Sequence, residues 1–320
     1  ENLQMISLFC SSSVMLLSHK LFKMFGLKKI PLYIACGIVA FHPTLIILSA
    51  SINNDIISIA LSLLSVIIAL KWYRNPDFKT IIILALSIGL SMAAKLSGGL
   101  VSLAIAMLFV IRLFGKKYKN KLNLIGQFSV FGIICVPLAL WWQIRNLIFF
   151  KVPITYVPKL SETSNQYIGF RSIFERFFDF SSLSESIYPL RVVSYQNFEY
   201  FEYNIPLAAL KTSVFGEYYI GQNSTFTLIF ANVLFWTAFV IALSSVIGAF
   251  YMLFRIIKDK NNGEIIPSEY IFTLVCTLTL IVSYVKFCFD FPHFCTMDFR
   301  YITLTVVFAA LYIALLLKKI

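Results

Sequence analysis

Residues 226–254, FTLIFANVLFWTAFVIALSSVIGAFYMLF, run for 29 positions without one charged side chain. A helix needs roughly 17–25 predominantly apolar residues to cross the hydrocarbon of a bilayer. The stretch therefore predicts a transmembrane helix with length to spare, and others stand on both sides of it. Residues 3–18, 31–50, 56–70, 80–94, 97–114 and 122–142 precede it, and residues 270–286 and 302–317 follow, giving nine candidate spans. The third to fifth are short, which suggests tilt, tight pairing or a break. The whole chain agrees: 59% of its 320 residues are hydrophobic, 13% are charged, and the mean hydropathy is +0.83. A soluble domain is about half apolar and about a quarter charged, and no soluble fold of this length has interior enough to hide such a surface. The expected fold class is an all-α polytopic membrane protein.

The net charge of +12 invites a nucleic-acid partner, but the position of the charges excludes one. Lys and Arg cluster in short runs between apolar stretches, not in an aromatic-interleaved patch on a polar domain. One set of loops holds Lys20, Lys23, Lys28, Lys29, Lys71, Arg74 and Lys79. The same set continues with Arg112, Lys116, Lys117, Lys119, Lys121, Arg255, Lys258, Lys260, Lys318 and Lys319. These are 17 of the 27 basic residues, with Asp77, Asp259 and Glu264 the acids nearby. Every second loop is basic, so by the positive-inside rule these loops are cytoplasmic. Glu1 then lies outside and Ile320 inside, which is expected of a chain lacking one helix and its first external loop.

Three regions follow from this. Residues 1–145 hold spans one to six, residues 146–225 form a large external loop, and residues 226–320 hold spans seven to nine. The loop is too long for a simple connection and too rich in Tyr, Phe and Glu for a linker. Within it, Ile173, Phe174, Phe177 and Phe178 share one helical face, with Arg171, Glu175 and Asp179 on the other. Two readings stand: a helix lying in the membrane interface, or a small soluble cap whose core uses those aromatics. Among the six cysteines, Cys10, Cys36, Cys135 and Cys276 lie in apolar runs as small hydrophobes. Cys288 and Cys295 share a polar-flanked loop, as free thiols or as a disulfide or metal pair.

The polar residues suited to chemistry gather at external helix ends. Asp55, after Asn53 and Asn54, fits either a base at the membrane surface or a helix N-cap. Lys95, before Leu96-Ser97-Gly98-Gly99, runs against the positive-inside bias. An anion held by its ammonium and by glycine-exposed amides would explain it, as would a snorkelling side chain. Trp141 and Trp142 fit an interfacial belt. Arg145 suits phosphate, and Arg300-Tyr301, Lys211 and Glu217 lie in the same layer. Four basic residues around one face point to a phosphorylated lipid. His42-Pro43 marks a kink. His293, with Asp290, Cys295 and Asp298 near it, has metal-compatible neighbours but no recognised metal spacing. Asn223-Ser224-Thr225 matches a glycosylation sequon. There is no Walker loop, dinucleotide-binding glycine pattern, zinc-protease motif or nucleophile elbow.

Taken in order, several of these motifs resemble the bacterial relatives of protein O-mannosyltransferases, GT-C-type glycosyltransferases of family 39. They are Phe41-His42-Pro43, Ser51-Ile52-Asn53-Asn54-Asp55 and Gly89-Leu90 through Lys95-Leu96-Ser97-Gly98. Next come Trp142 through Arg145-Asn146, and Pro153 with Tyr156-Val157-Pro158. Lys211-Thr212-Ser213-Val214-Phe215-Gly216-Glu217 and Arg300-Tyr301 complete the order. The resemblance implies a multi-pass enzyme of the plasma membrane with its active face outside the cytoplasm. It would move a sugar from a polyprenyl-phosphate carrier, with inversion, to a hydroxyl or amine of a protein, lipid or glycan acceptor. Lys95, Arg145, Lys211, Arg300 and Tyr301 would hold the carrier phosphate, and Asn54 and Glu217 would touch sugar or acceptor. No cofactor follows with certainty, and a divalent metal is compatible. The family's main acidic residue sits in the first external loop, which this chain is expected to lack. Asp55 would then be a secondary acid, and the 320 residues alone are expected to be inactive. Ala94 also departs from the family, whose members often have Thr there. A transporter or lipid flippase is the alternative, although nearly charge-free spans and the absence of an internal repeat weigh against it. A non-catalytic scaffold is the third reading.

Overall fold

The boundaries of the helices follow from local chemistry. Helix α1 (Asn2–Met24) stops at Gly26, whose φ of +73° suits glycine. Helices α2 (Lys29–Ala40) and α3 (Pro43–Ala50) are parted by Phe41 and His42, because Pro43 disfavours helical backbone before it and opens α3 at its first turn. The two meet at 50°. Helix α4 (Asp55–Arg74) leads to α5 (Phe78–Ala94), which Asp77 caps by accepting from the Thr80 amide at 2.8 Å. A 3₁₀ turn (Leu96–Leu100) runs into α6 (Val101–Phe114), and α7 follows (Lys121–Phe150).

Two short helices come next, α8 (Ile173–Phe178) and α9 (Ser182–Glu185). Strands β1 (Leu190–Ser194) and β2 (Asn197–Tyr200) form an antiparallel hairpin, pairing Leu190 with Tyr200 and Val192 with Phe198. Helices α10 (Ile205–Phe215), α11 (Thr225–Lys258), α12 (Pro267–Asp290) and α13 (Thr305–Leu317) complete the chain. Two 3₁₀ turns, Phe294–Met297 and Phe299–Ile302, precede α13. The structure, a computed structural model, describes residues 2–115, 120–194, 197–200, 202–217, 224–258 and 267–318, with backbone alone over 191–194 and 197–200. Lys116, Lys117, Lys119, Lys260, Lys319, Asp259, Glu264 and the sequon residue Asn223 lie outside the described residues.

Among the described residues, six helices are long and apolar enough to cross a membrane, or up to eight if each bent pair forms one span. The six are α1, α4, the Leu96–Phe114 unit, α7, α11 and α12; the bent pairs are α2 with α3, and residues 294–302 with α13. The remaining expected span, 80–94, is the 17-residue α5. Breaks fall in the second and ninth expected spans, not in the third to fifth. Nor does the sixth end at Trp142: α7 continues to Phe150 and stops where Lys151 turns left-handed, φ 56°. The long segment between α7 and α11 therefore begins after residue 150.

Helix α4 is the axis of the bundle. Of its apolar window 72% is buried, against 11% for α11, whose Phe230, Val233, Trp236 and Val240 face outward. A helix apolar on every side and exposed needs lipid around it. Helices α1, α5 and α6 pack on α4, α7 lies on α5, and α13 sits between α2 and α11. At the basic end, Arg74 forks onto Glu269 at 2.7 and 2.6 Å and also donates to the Met24 carbonyl at 3.2 Å. That fork ties α1, α4 and α12 together.

Candidate functional site

At the opposite end, α4 begins beside the end of α5. Asn53 turns the chain: its Oδ1 accepts from the amides of Asp55 (3.0 Å) and Ile56 (3.2 Å), and its Nδ2 donates to the Leu48 carbonyl. Asn54 donates to the Ala94 carbonyl at 2.7 Å, fastening this turn to the end of α5. Asn53 thus does the capping, and the Asp55 carboxylate is left for other work. It is buried at the positive end of α4 and forms an ion pair with Lys95. The Lys95 ammonium meets a carboxylate, and the Gly98 amide donates to the Lys95 carbonyl at 2.8 Å, so that amide is not offered to an anion.

Gly98 serves packing instead. A Cβ there would come within 2.6 Å of the Ser58 hydroxyl and 2.9 Å of the Ser91 carbonyl. Ser58 and Ser62, one turn apart on α4, hydrogen-bond the Ser91 hydroxyl of α5 at 3.1 and 2.9 Å. Small residues of this kind let helices approach closely in lipid. Here they bring the Lys95 turn over the start of α4.

The third wall is the 299–302 turn. Asp298 caps it, its Oδ1 accepting from the Arg300 amide at 2.7 Å. Tyr301 lies under Lys95 with its ring centroid 4.6 Å from Nζ, and the Arg300 guanidinium sits 5.3 Å from the same centroid. Arg300 also faces Glu217 at 3.6 Å and Asp298 at 3.9 Å, distances of attraction without hydrogen bonding. A cleft opens between these walls, lined by Asp55, Ser58, Ser62, Lys95, Arg300 and Tyr301. Helix α10 braces it: Thr212 accepts from the Phe299 amide at 2.9 Å, and Thr44 of α3 donates to the Ser213 carbonyl at 2.8 Å.

The sequence grouped Lys211 and Arg145 with this site, and the structure separates both from the cleft lining. Lys211 is wholly buried, its Nζ 2.5 Å from Glu202 and 3.4 Å from the Ser182 carbonyl, inside the packing of the segment between α7 and α11. Burial pulls its ammonium below the ordinary lysine range despite Glu202. Arg145 lies among the rings of Trp142 (4.8 Å), Phe150 (5.5 Å) and Phe149 (5.9 Å) on the extension of α7. Asp298 is the cleft-side acid that the sequence reading considered only as a neighbour of His293. Its signal was its place two residues before Arg300.

His293 points elsewhere, its Nε2 3.3 Å from the Ser161 carbonyl and its ring against Tyr167. Among the described residues, no three His, Cys, Asp or Glu side chains stand close enough to hold a metal ion. Cys288 and Cys295 are free thiols, with Cys288 buried. Set against protein-family models, curated proteins and solved structures, the chain finds no match.

Proposed function

We propose that the cleft transfers a sugar from a polyprenyl-phosphate carrier to an acceptor outside the cytoplasm, with inversion, within a nine-span GT-C-like bundle. The observation that carries this reading is the meeting of a buried carboxylate, Asp55, with Lys95, Tyr301 and a loosely held Arg300 at one end of an apolar bundle. A lipid-linked donor must present its phosphate at such an end, where cations can neutralise the charge that develops as it leaves. Counting each bent pair as one span and α5 as another gives the nine crossings.

The chemistry balances as follows for a hydroxyl acceptor. The acceptor oxygen attacks the anomeric carbon from the face opposite the phosphate, and the carbon–oxygen bond to phosphate breaks. The electron pair leaves with the phosphate, towards Lys95 and Arg300. As phosphate draws Lys95 away, Asp55 becomes free to help take the acceptor proton, in the secondary role that the resemblance implies. A carboxylate held in an ion pair is a weak base, so carrier binding would itself switch the base on. Glu217 and Asp298 keep Arg300 extended towards the cleft without saturating it.

The test is transfer of labelled sugar from polyprenyl-phosphate mannose or a related donor, using the whole natural protein in its own membranes. Arg300→Ala and Lys95→Ala are expected to lower transfer by about 10²-fold. Unchanged donor binding and transfer in both variants would overturn the reading.

A further inference from the structure

We propose that α8 is an interfacial anchor, with its exposed aromatic face set into the headgroup–acyl boundary of the leaflet at the cleft end of the bundle. The proposal rests on the membrane-spanning bundle and is independent of the transferase reading.

The residues around α8 expose more apolar surface than a water-facing helix should carry. Phe170 is 97% exposed, Ile173 70%, Phe174 69% and Phe178 63%. They are not the core of a soluble cap. A second apolar cluster, Tyr188, Val214, Phe215, Ala231 and Phe235, packs against α11 and does not include them. The polar side of α8 is satisfied locally. Ser172 and Glu175 close a capping box, and Arg171 pairs with Glu175 at 3.3 Å while lying 4.4 Å from the Tyr203 ring centroid. A helix whose outward polar side chains pair with one another and whose aromatics turn out is suited to the low-water boundary of a bilayer.

The depth of α8 is fixed by its attachment to α12. Arg176, on the inward face, is buried and donates to the Cys288 carbonyl at 3.0 Å with its guanidinium 5.0 Å from the Phe289 ring. Phe177 stacks towards the same ring at 6.0 Å. Along α12 the outward residues Leu278, Ile281 and Val282 form part of the lipid-facing belt, which ends at the exposed pair Lys286 and Asp290. Exposed charges mark where hydrocarbon gives way to headgroups. Helix α8 docks beside that pair, so its aromatic face continues the belt at headgroup level. The occupant of the exposed face is therefore the same bilayer that surrounds α12.

The experiment places a tryptophan on that face. Phe174→Trp and Phe178→Trp proteins are reconstituted in phosphatidylcholine–phosphatidylglycerol vesicles, and the emission added over wild type is measured. Lipids brominated near the carbonyl end of the acyl chain should quench the added emission by about twofold, with aqueous acrylamide having little effect. Quenching by acrylamide alone in both variants would put α8 in water and overturn the proposal. Shielding from both quenchers would mean that protein covers the face, which overturns it equally. Using two positions guards against one variant disturbing the fold.

Discussion

Single residues in the cleft have separable jobs, and substitutions should distinguish them. Asp55 and Lys95 neutralise each other in the structure, and in the proposed reaction the donor phosphate parts them. Lys95→Ala should weaken donor binding, whereas Asp55→Asn should leave donor binding within about threefold and lower turnover by about 10²-fold. Equal losses of binding in both variants would make the pair purely structural. Gly98 is needed for close approach alone. Gly98→Ala should destabilise the protein by about 1–3 kcal/mol, read as a lower melting temperature in detergent, since Ser58 and Ser91 occupy the space a methyl would need. The sequence singled out Asp55, Lys95, Arg300 and Tyr301, which line one cleft, because ionisable residues at apolar helix ends stand out against the spans. It could not disclose that Asn53 caps α4, because three polar residues in a row compete for one role. Lys211 was misplaced for a related reason. Its partner Glu202 is nine positions upstream across a helix start, and no spacing rule announces a buried pair of that kind.

Elements built on these contacts carry their own consequences. Lys211 and Glu202 hold α10 to the rest of the segment between α7 and α11, where neither side chain reaches solvent. Lys211→Met alone strands a buried carboxylate and should cost about 3–5 kcal/mol, while Lys211→Met with Glu202→Leu should recover most of that loss. Sugar transfer by the double variant, measured on folded protein, should persist, because the pair braces the site without lining it. The segment after α8 adds a pH dependence. Hydrogen bonds from Tyr203 and then Ser181 hold the Asp179 carboxyl down to about 2, below its ordinary 3.8. A carboxylate with a depressed folded value stabilises fully above its unfolded value and loses that contribution as pH falls through the folded one. Protection of the amides of residues 179–185, relative to their intrinsic exchange rates, should therefore fall between about pH 4 and pH 2, and Asp179→Asn should flatten that step. At this scale the sequence showed where apolar stretches lie but not how they bend. A 20-residue apolar run with Pro43 inside reads as one kinked span; Pro43 marks where it breaks, and the 50° angle is set together with packing of α2 on α13 and α3 on α10. The extension of α7 past Trp142 was hidden likewise, because the interfacial tryptophans looked like an end.

The whole molecule has two chemically different ends, and that polarity is what the proposed reaction depends on. One end carries the basic loops and the Arg74 fork onto Glu269. The other carries Asp55, Lys95, Arg300 and the segment between α7 and α11. Composition alone made this arrangement legible, because positive charge and span alternation are both written linearly in the chain. Convergence of residues 55, 95 and 300 was not, since it requires α4, α5 and the 299–302 turn to be neighbours. Helix α4 joins the two ends directly, with 20 residues spanning about 30 Å. Ile52 stands exposed just before it and Asn75 exposed just after it, so Ile52→Cys and Asn75→Cys sample opposite faces of the membrane with one helix between them. A membrane-impermeant maleimide on intact cells should label Ile52→Cys above the wild-type background and should reach Asn75→Cys only after permeabilisation. The reverse pattern would put the cleft in the cytoplasm, away from any external acceptor. Labelling of both on intact cells would mean that α4 does not span at all. The predicted outcome follows from the excess of Lys and Arg on the Asn75 side, which holds that face inside during insertion.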